Sequence, residues 1–130
     1  MKVEPAEAEF ARTYNAGEAQ VVWTRLVTDL ETPVSAMLKL SAGRANCFLL
    51  ESVEGGAVRG RYSIIGIEPD LIFRAFGGKA EVNNDPTNSP DAFEPMTEPS
   101  LEALRRIIGD SRIHLPDELP PMSAGVFGYL

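Results

Sequence analysis

The sequence predicts an α+β fold, mostly antiparallel β-sheet with flanking helices. Three observations carry this. Strand-like apolar runs recur: QVVWTRLV (20–27), rich in β-branched and aromatic residues, then ANCFLL (45–50) and RYSIIGI (61–67). TPVSAMLKLSA (32–42) and SLEALRRIIG (100–109) instead carry apolar residues at helical spacing. Finally, Gly77-Gly78 separates two alternating runs, and a two-residue turn can only join antiparallel strands.

Taken in order, residues 1–19 are polar and weakly patterned and read as an arm or edge element. Residues 20–27 read as a strand. Thr32-Pro33 then starts a helix, with threonine as N-cap and proline at the first helical position. Val34, Met37, Leu38 and Ser41 share one face of it, and Gly43 ends it. Ala45–Leu50 is a continuous apolar run of the kind covered on both faces. A loop containing Gly55-Gly56 leads to the next strand, Arg61–Ile67. Asp70–Phe76 and Lys79–Asn83 form a hairpin about the glycine pair. Pro86, Pro90, Pro95 and Pro99, with four acids and no bases, make residues 84–99 a solvated loop. Ser100 caps a helix that presents Leu101, Leu104 and Ile108 and closes at Gly109. The terminal AGVFGYL reads as a buried strand. An apolar strand with nothing after it implies that residues 1–130, taken as one region, are a piece of a longer protein.

Composition narrows the function. With 44% hydrophobic and 24% charged residues the chain is of globular type. A net charge of -7 and the lack of a basic stripe argue against nucleic acid and anionic membrane as partners. Neither a signal-peptide core nor a run long enough to span a bilayer is present, which points to a cytoplasmic protein. The lone cysteine, Cys47, sits in an apolar run and reads as a small core residue. The lone histidine, His114, lies between Ile113 and Leu115 without a nucleophile nearby in sequence and reads as a half-buried loop residue. One histidine and one cysteine cannot build a metal site from those ligands. No catalytic or metal-binding residue is therefore assigned.

The informative stretch is NCFLLESVEGGAVRGRYSIIG (46–66). A buried run ends abruptly on Glu51-Ser52, and the next opens with Arg61, Tyr62 and Ser63. If the two strands pair antiparallel, an acid, a base, a phenol and two hydroxyls gather among apolar walls. Such a set suits a small zwitterion such as an amino acid. A Glu51–Arg61 surface ion pair, worth about 0–1 kcal/mol, accounts for the same residues.

LLES followed by GRYS and an apolar strand resembles the N-terminal region of the large subunit, component I, of anthranilate synthase. The likeness runs from about Thr32 through the hairpin, the proline loop, LEALRRII and the final GYL. Ala124-Gly125 stands where the family usually has Gly-Gly. The resemblance implies that the sheet is part of a β-sandwich. It implies a full-length enzyme that turns chorismate into anthranilate for tryptophan synthesis, requires Mg2+, takes ammonia from a glutamine amidotransferase subunit (component II) and is inhibited by tryptophan. It further implies a tryptophan site at Leu50, Glu51, Ser52, Arg61, Tyr62 and Ser63. The chorismate and Mg2+ residues would lie beyond this chain, which alone would be inactive. Aminodeoxychorismate synthase component I, of folate synthesis, and a stand-alone amino-acid-binding module are the competing readings.

Overall fold

The computed structural model describes residues 1–51 and 62–130. Their elements are, in chain order, β1 (Val3–Glu4), α1 (Glu7–Asn15), β2 (Trp23–Thr24), α2 (Pro33–Leu40), β3 (Phe48–Glu51), β4 (Ser63–Gly66), β5 (Ile72–Phe76), β6 (Lys79–Asn83), β7 (Glu94–Pro95) and α3 (Ser100–Asp110). All strand pairing among the described residues is antiparallel, in the sheets β1-β2, β3-β4 and β5-β6-β7. The α+β class with antiparallel pairing is as expected. The chain divides into two compact units, one of residues Met1–Val27 and Leu101–Leu130, the other of Thr28–Ser100.

The first unit departs most from the sequence reading. The supposed arm contains α1, whose Phe10 and Tyr14 rings stack with centroids 5.8 Å apart, one helical turn from each other. Glu7 and Glu9 lie in its first turn and Arg12 in its last, which complements the helix dipole. Its N-cap, Ala6, has no side chain that can cap, so the usual sequence signal for a helix start is missing. The expected strand 20–27 shrinks to Trp23–Thr24, paired with Glu4 and Val3. Thr24 Oγ1 donates to the Lys2 carbonyl at 2.7 Å and secures that short pairing.

α3 forms where expected but turns a different stripe inward. Ala103 and Ile107 are buried, whereas Leu101 and Ile108 are exposed. Gly109 lies inside the helix, and the Ser100 hydroxyl is buried without a hydrogen-bond partner among the described residues, so it does not cap. The terminal AGVFGYL is not a buried strand. Val126 is half exposed and Tyr129 fully exposed, and Gly125 sits at φ +146°, a conformation that interrupts extended backbone. His114 is exposed rather than half-buried.

In the second unit the local signals hold. The Thr32 hydroxyl accepts from Ser35 N at 3.1 Å while Ser35 Oγ accepts from Thr32 N at 2.9 Å, a complete capping box with Pro33 at the first turn. Glu31 also accepts from Ser35 Oγ at 2.6 Å and pairs with Lys39. Both hydrogen bonds, with Lys39 the stronger influence, hold the Glu31 carboxyl below its usual range. Gly77 and Gly78 turn the β5–β6 hairpin with φ +55° and +82°, the two positive values a tight twisted turn needs.

The acidic proline segment is less free than its composition implies. Asn83, 1% exposed, donates through Nδ2 to the Ser89 carbonyl at 2.7 Å and accepts the Asp85 N–H at 2.9 Å. Pro86 is buried and Glu94–Pro95 adds β7 to the sheet. The Arg74 guanidinium lies 3.6 Å from the Phe93 ring centre and bonds Glu81 across the strand pair at 2.8 Å. This pins the returning chain to the hairpin.

Candidate functional site

The candidate site is the Glu51–Ser63 end of the β3–β4 ribbon, and local chemistry places that ribbon. Arg44 closes α2 by donating to the Leu40 carbonyl at 2.6 Å and pairs with Glu68 beyond β4 at 3.0 Å. Asn46 adopts φ +56°, which asparagine tolerates better than most residues. That turn delays the strand: β3 starts at Phe48 rather than Ala45. Cys47 falls in the turn, is half-buried and is no core residue. α2 packs against both β3 and β4.

The ribbon pairs Phe48 with Gly66, Leu49 with Ile65, Leu50 with Ile64 and Glu51 with Ser63. Side chains alternate between faces along each strand. Glu51 and Ser63 therefore share one face with the half-buried Leu49 and Ile65, while Leu50 and Ile64 lie on the other. Glu51 and Ser63 are exposed and available to a ligand. Leu50 is half exposed, so this strand is not covered on both faces as its composition suggested. Tyr62 directly precedes β4 and is also half exposed. Ser52 and Arg61 lie outside the described residues.

Of the six residues singled out in the sequence, the pairing thus brings Glu51 and Ser63 together and sets Leu50 on the opposite face. Leu49 and Ile65, which were not singled out, supply the apolar surface beside the carboxylate. Counting both strands outward from the loop would have found them, once the register was known. The arrangement offers an acceptor for a cationic group, a hydroxyl that donates or accepts, and an apolar surface for a side chain. Among the described residues no group of three or more His, Cys, Asp and Glu side chains could hold a metal ion. No helix among them is long and apolar enough to cross a membrane.

Comparison with known proteins gives a consistent answer. The chain is 49% identical over 121 residues to anthranilate synthase component 1 of Cereibacter sphaeroides, covering 93% of this chain and 24% of that protein. It is 35% identical over 129 residues to anthranilate synthase component 1 of Synechocystis sp., covering 97% and 24%. It is 40% identical over 103 residues to anthranilate synthase component 1 of Thermus thermophilus, covering 79% and 20%. The chain spans about a quarter of the length of the curated relatives it matches. No family model matches it, and no solved structure matches it significantly.

Proposed function

The chain belongs to the anthranilate synthase component 1 family, matching its N-terminal region, and from this premise we propose that it supplies the amino-acid-sensing side of an enzyme converting chorismate and ammonia to anthranilate. The observation that supports the sensing role is the register that sets the Glu51 carboxylate across from the Ser63 hydroxyl at an exposed ribbon end. The tryptophan ammonium docks on Glu51, a charge-assisted contact worth about 1.5–3 kcal/mol, toward the lower figure because Glu51 is exposed. Leu49 and Ile65 lie under the ligand, while Leu50, Ser52, Arg61 and Tyr62 are assigned to the site on the family resemblance alone.

Inhibition follows because tryptophan binds one arrangement of the whole enzyme better than another, a coupling of about 1–3 kcal/mol. Chorismate, Mg2+ and the ammonia-supplying glutamine amidotransferase subunit engage portions of the enzyme beyond this chain, in the cytoplasm. The 130 residues alone are inactive. Similarity to anthranilate synthase component 1 proteins favours anthranilate over aminodeoxychorismate as product. Anthranilate fluorescence from chorismate and ammonia, in a family-length protein carrying this segment, separates the two.

The test of the sensor is a chimera in which this chain replaces the matching segment of the Cereibacter sphaeroides relative. Glu51→Gln is expected to raise the tryptophan inhibition constant by about tenfold or more, with anthranilate formation retained. Ser52→Phe is expected to relieve inhibition by filling the pocket. Inhibition unchanged in both variants refutes the assignment. The isolated chain, holding one side of the pocket, should show no micromolar tryptophan binding by calorimetry.

A further inference from the structure

β3 and β4 form a ribbon of only four residue pairs. Hydrophobic matching specifies its register only in part: a two-residue slip still sets Phe48 against Ile64 and Leu50 against Tyr62, although Leu49 then meets a polar partner. Such a slip would put Leu49, not Glu51, opposite Ser63. One contact removes the ambiguity. The Phe48 ring lies directly on Gly66: a Cβ built there would be 2.8 Å from Phe48 Cδ1 and nearer still to Cε1 and Cζ. The ring occupies space that only glycine leaves open, and a two-residue slip would set it against Ile64 or Glu68 instead. Aromatic rings laid on cross-strand glycines pin register in this way.

We propose that Phe48 and Gly66 are positioning residues for the amino-acid site, the ring-on-glycine contact holding the register that sets Glu51 across from Ser63. The proposal rests on the reading of that ribbon end as the tryptophan sensor. Neither residue touches the ligand: Gly66 is three positions from Ser63 along β4, and Phe48 lies on the face opposite Glu51. Both act through the strand pairing, so their effect falls on inhibition and leaves turnover alone.

Two measurements test this. In the full 130-residue chain, cross-strand proton contacts by NMR report register directly. The unmodified chain should show Leu50 against Ile64, and Gly66→Val, which denies the ring its seat, should lose or shift that pairing. In the chimera, Gly66→Val should raise the tryptophan inhibition constant by about tenfold or more while kcat and the KM for chorismate stay within about twofold. Phe48→Tyr, which keeps a ring, should restore nothing because it should lose nothing: register and inhibition remain as in the unmodified protein. Should Gly66→Val fail to fold, Phe48→Leu removes the ring without added bulk and carries the same expectation. Retention of both register and inhibition in the variant that folds overturns the proposal. A shifted register with unchanged inhibition also overturns it, because the site would then not depend on the pairing. A chimera insensitive to tryptophan before any substitution defeats the sensor reading instead, and the NMR arm still decides whether the ring sets the register.

Discussion

Asn83 is the polar anchor of the proline segment, and replacing it should cost stability in a way that depends on pH. The side chain is 1% exposed and makes two hydrogen bonds, Nδ2 to the Ser89 carbonyl at 2.7 Å and Oδ1 from the Asp85 N–H at 2.9 Å. Asn83→Ala removes both. Ser89 and Asp85 are themselves exposed, so water recovers part of the loss, and each bond counts for about 1 kcal/mol rather than the larger penalty of a sealed orphan. The expected cost is about 2 kcal/mol. Asn83→Asp keeps the acceptor for Asp85 N–H but points a carboxylate at the Ser89 carbonyl. Burial and that carbonyl both disfavour the charged form, so the folded-state pKa of the introduced carboxyl rises above its unfolded value of about 3.9. Protonated, the group can donate to Ser89 as the amide does. Its stabilising contribution is thus complete below about pH 3.9 and is lost as pH rises through the elevated folded value. Urea denaturation of the two variants at pH 3.5 and pH 7 checks this. Asn83→Asp should approach the parent at the lower pH and fall below it by about 2 kcal/mol or more at the higher. A pH-independent difference, or an alanine variant as stable as the parent, would refute the account of Asn83 as the anchor.

Other expectations follow from the same unit. Gly77→Val places a β-branched residue at φ +55° and should destabilise the hairpin by about 1–3 kcal/mol, read by urea denaturation, whereas Gly77→Asn should cost less. Arg74→Leu forfeits the Phe93 stacking and the exposed Glu81 pair, together about 1 kcal/mol, and a double-mutant cycle with Phe93→Leu should show the two residues coupled. Because Glu31 titrates below its usual range in the folded chain, its interaction with Lys39 stabilises above the ordinary value of 4.5 and fades as pH falls through the lowered one. The stability difference between the parent and Lys39→Met should therefore shrink on acidification into that range, and a difference that grows would contradict the pairing.

The features readable from sequence were those encoded within a few residues. Thr32, Pro33 and Ser35 make a helix start because a hydroxyl at the N-cap reaches a backbone N–H three residues on, whatever the rest of the chain does. Gly77-Gly78 makes a hairpin because the turn needs two positive φ values that other residues resist. LLES and GRYS marked the candidate site and the family for the same reason: the residue types themselves carry the information.

Tertiary structure decided what depends on distant partners. Helical spacing singled out Leu101, Leu104 and Ile108 on α3, whereas packing buries Ala103 and Ile107 and leaves Leu101 and Ile108 exposed. Composition made residues 84–99 look solvated, but Asn83 tethers them through bonds to Ser89 and Asp85, and β7 pairs back onto β6. α1 went unrecognised because its end carries no capping side chain and its Phe10–Tyr14 stack needs the helix already formed to exist. At the site, the sequence brought Glu51 near Ser63 only on the condition that their strands pair antiparallel, and it did not give the register. A strand shows its neighbours one of two faces, and which residues share a face across the ribbon is set only when two strands align; here the Phe48 ring settling on Gly66 accompanies the alignment that does it.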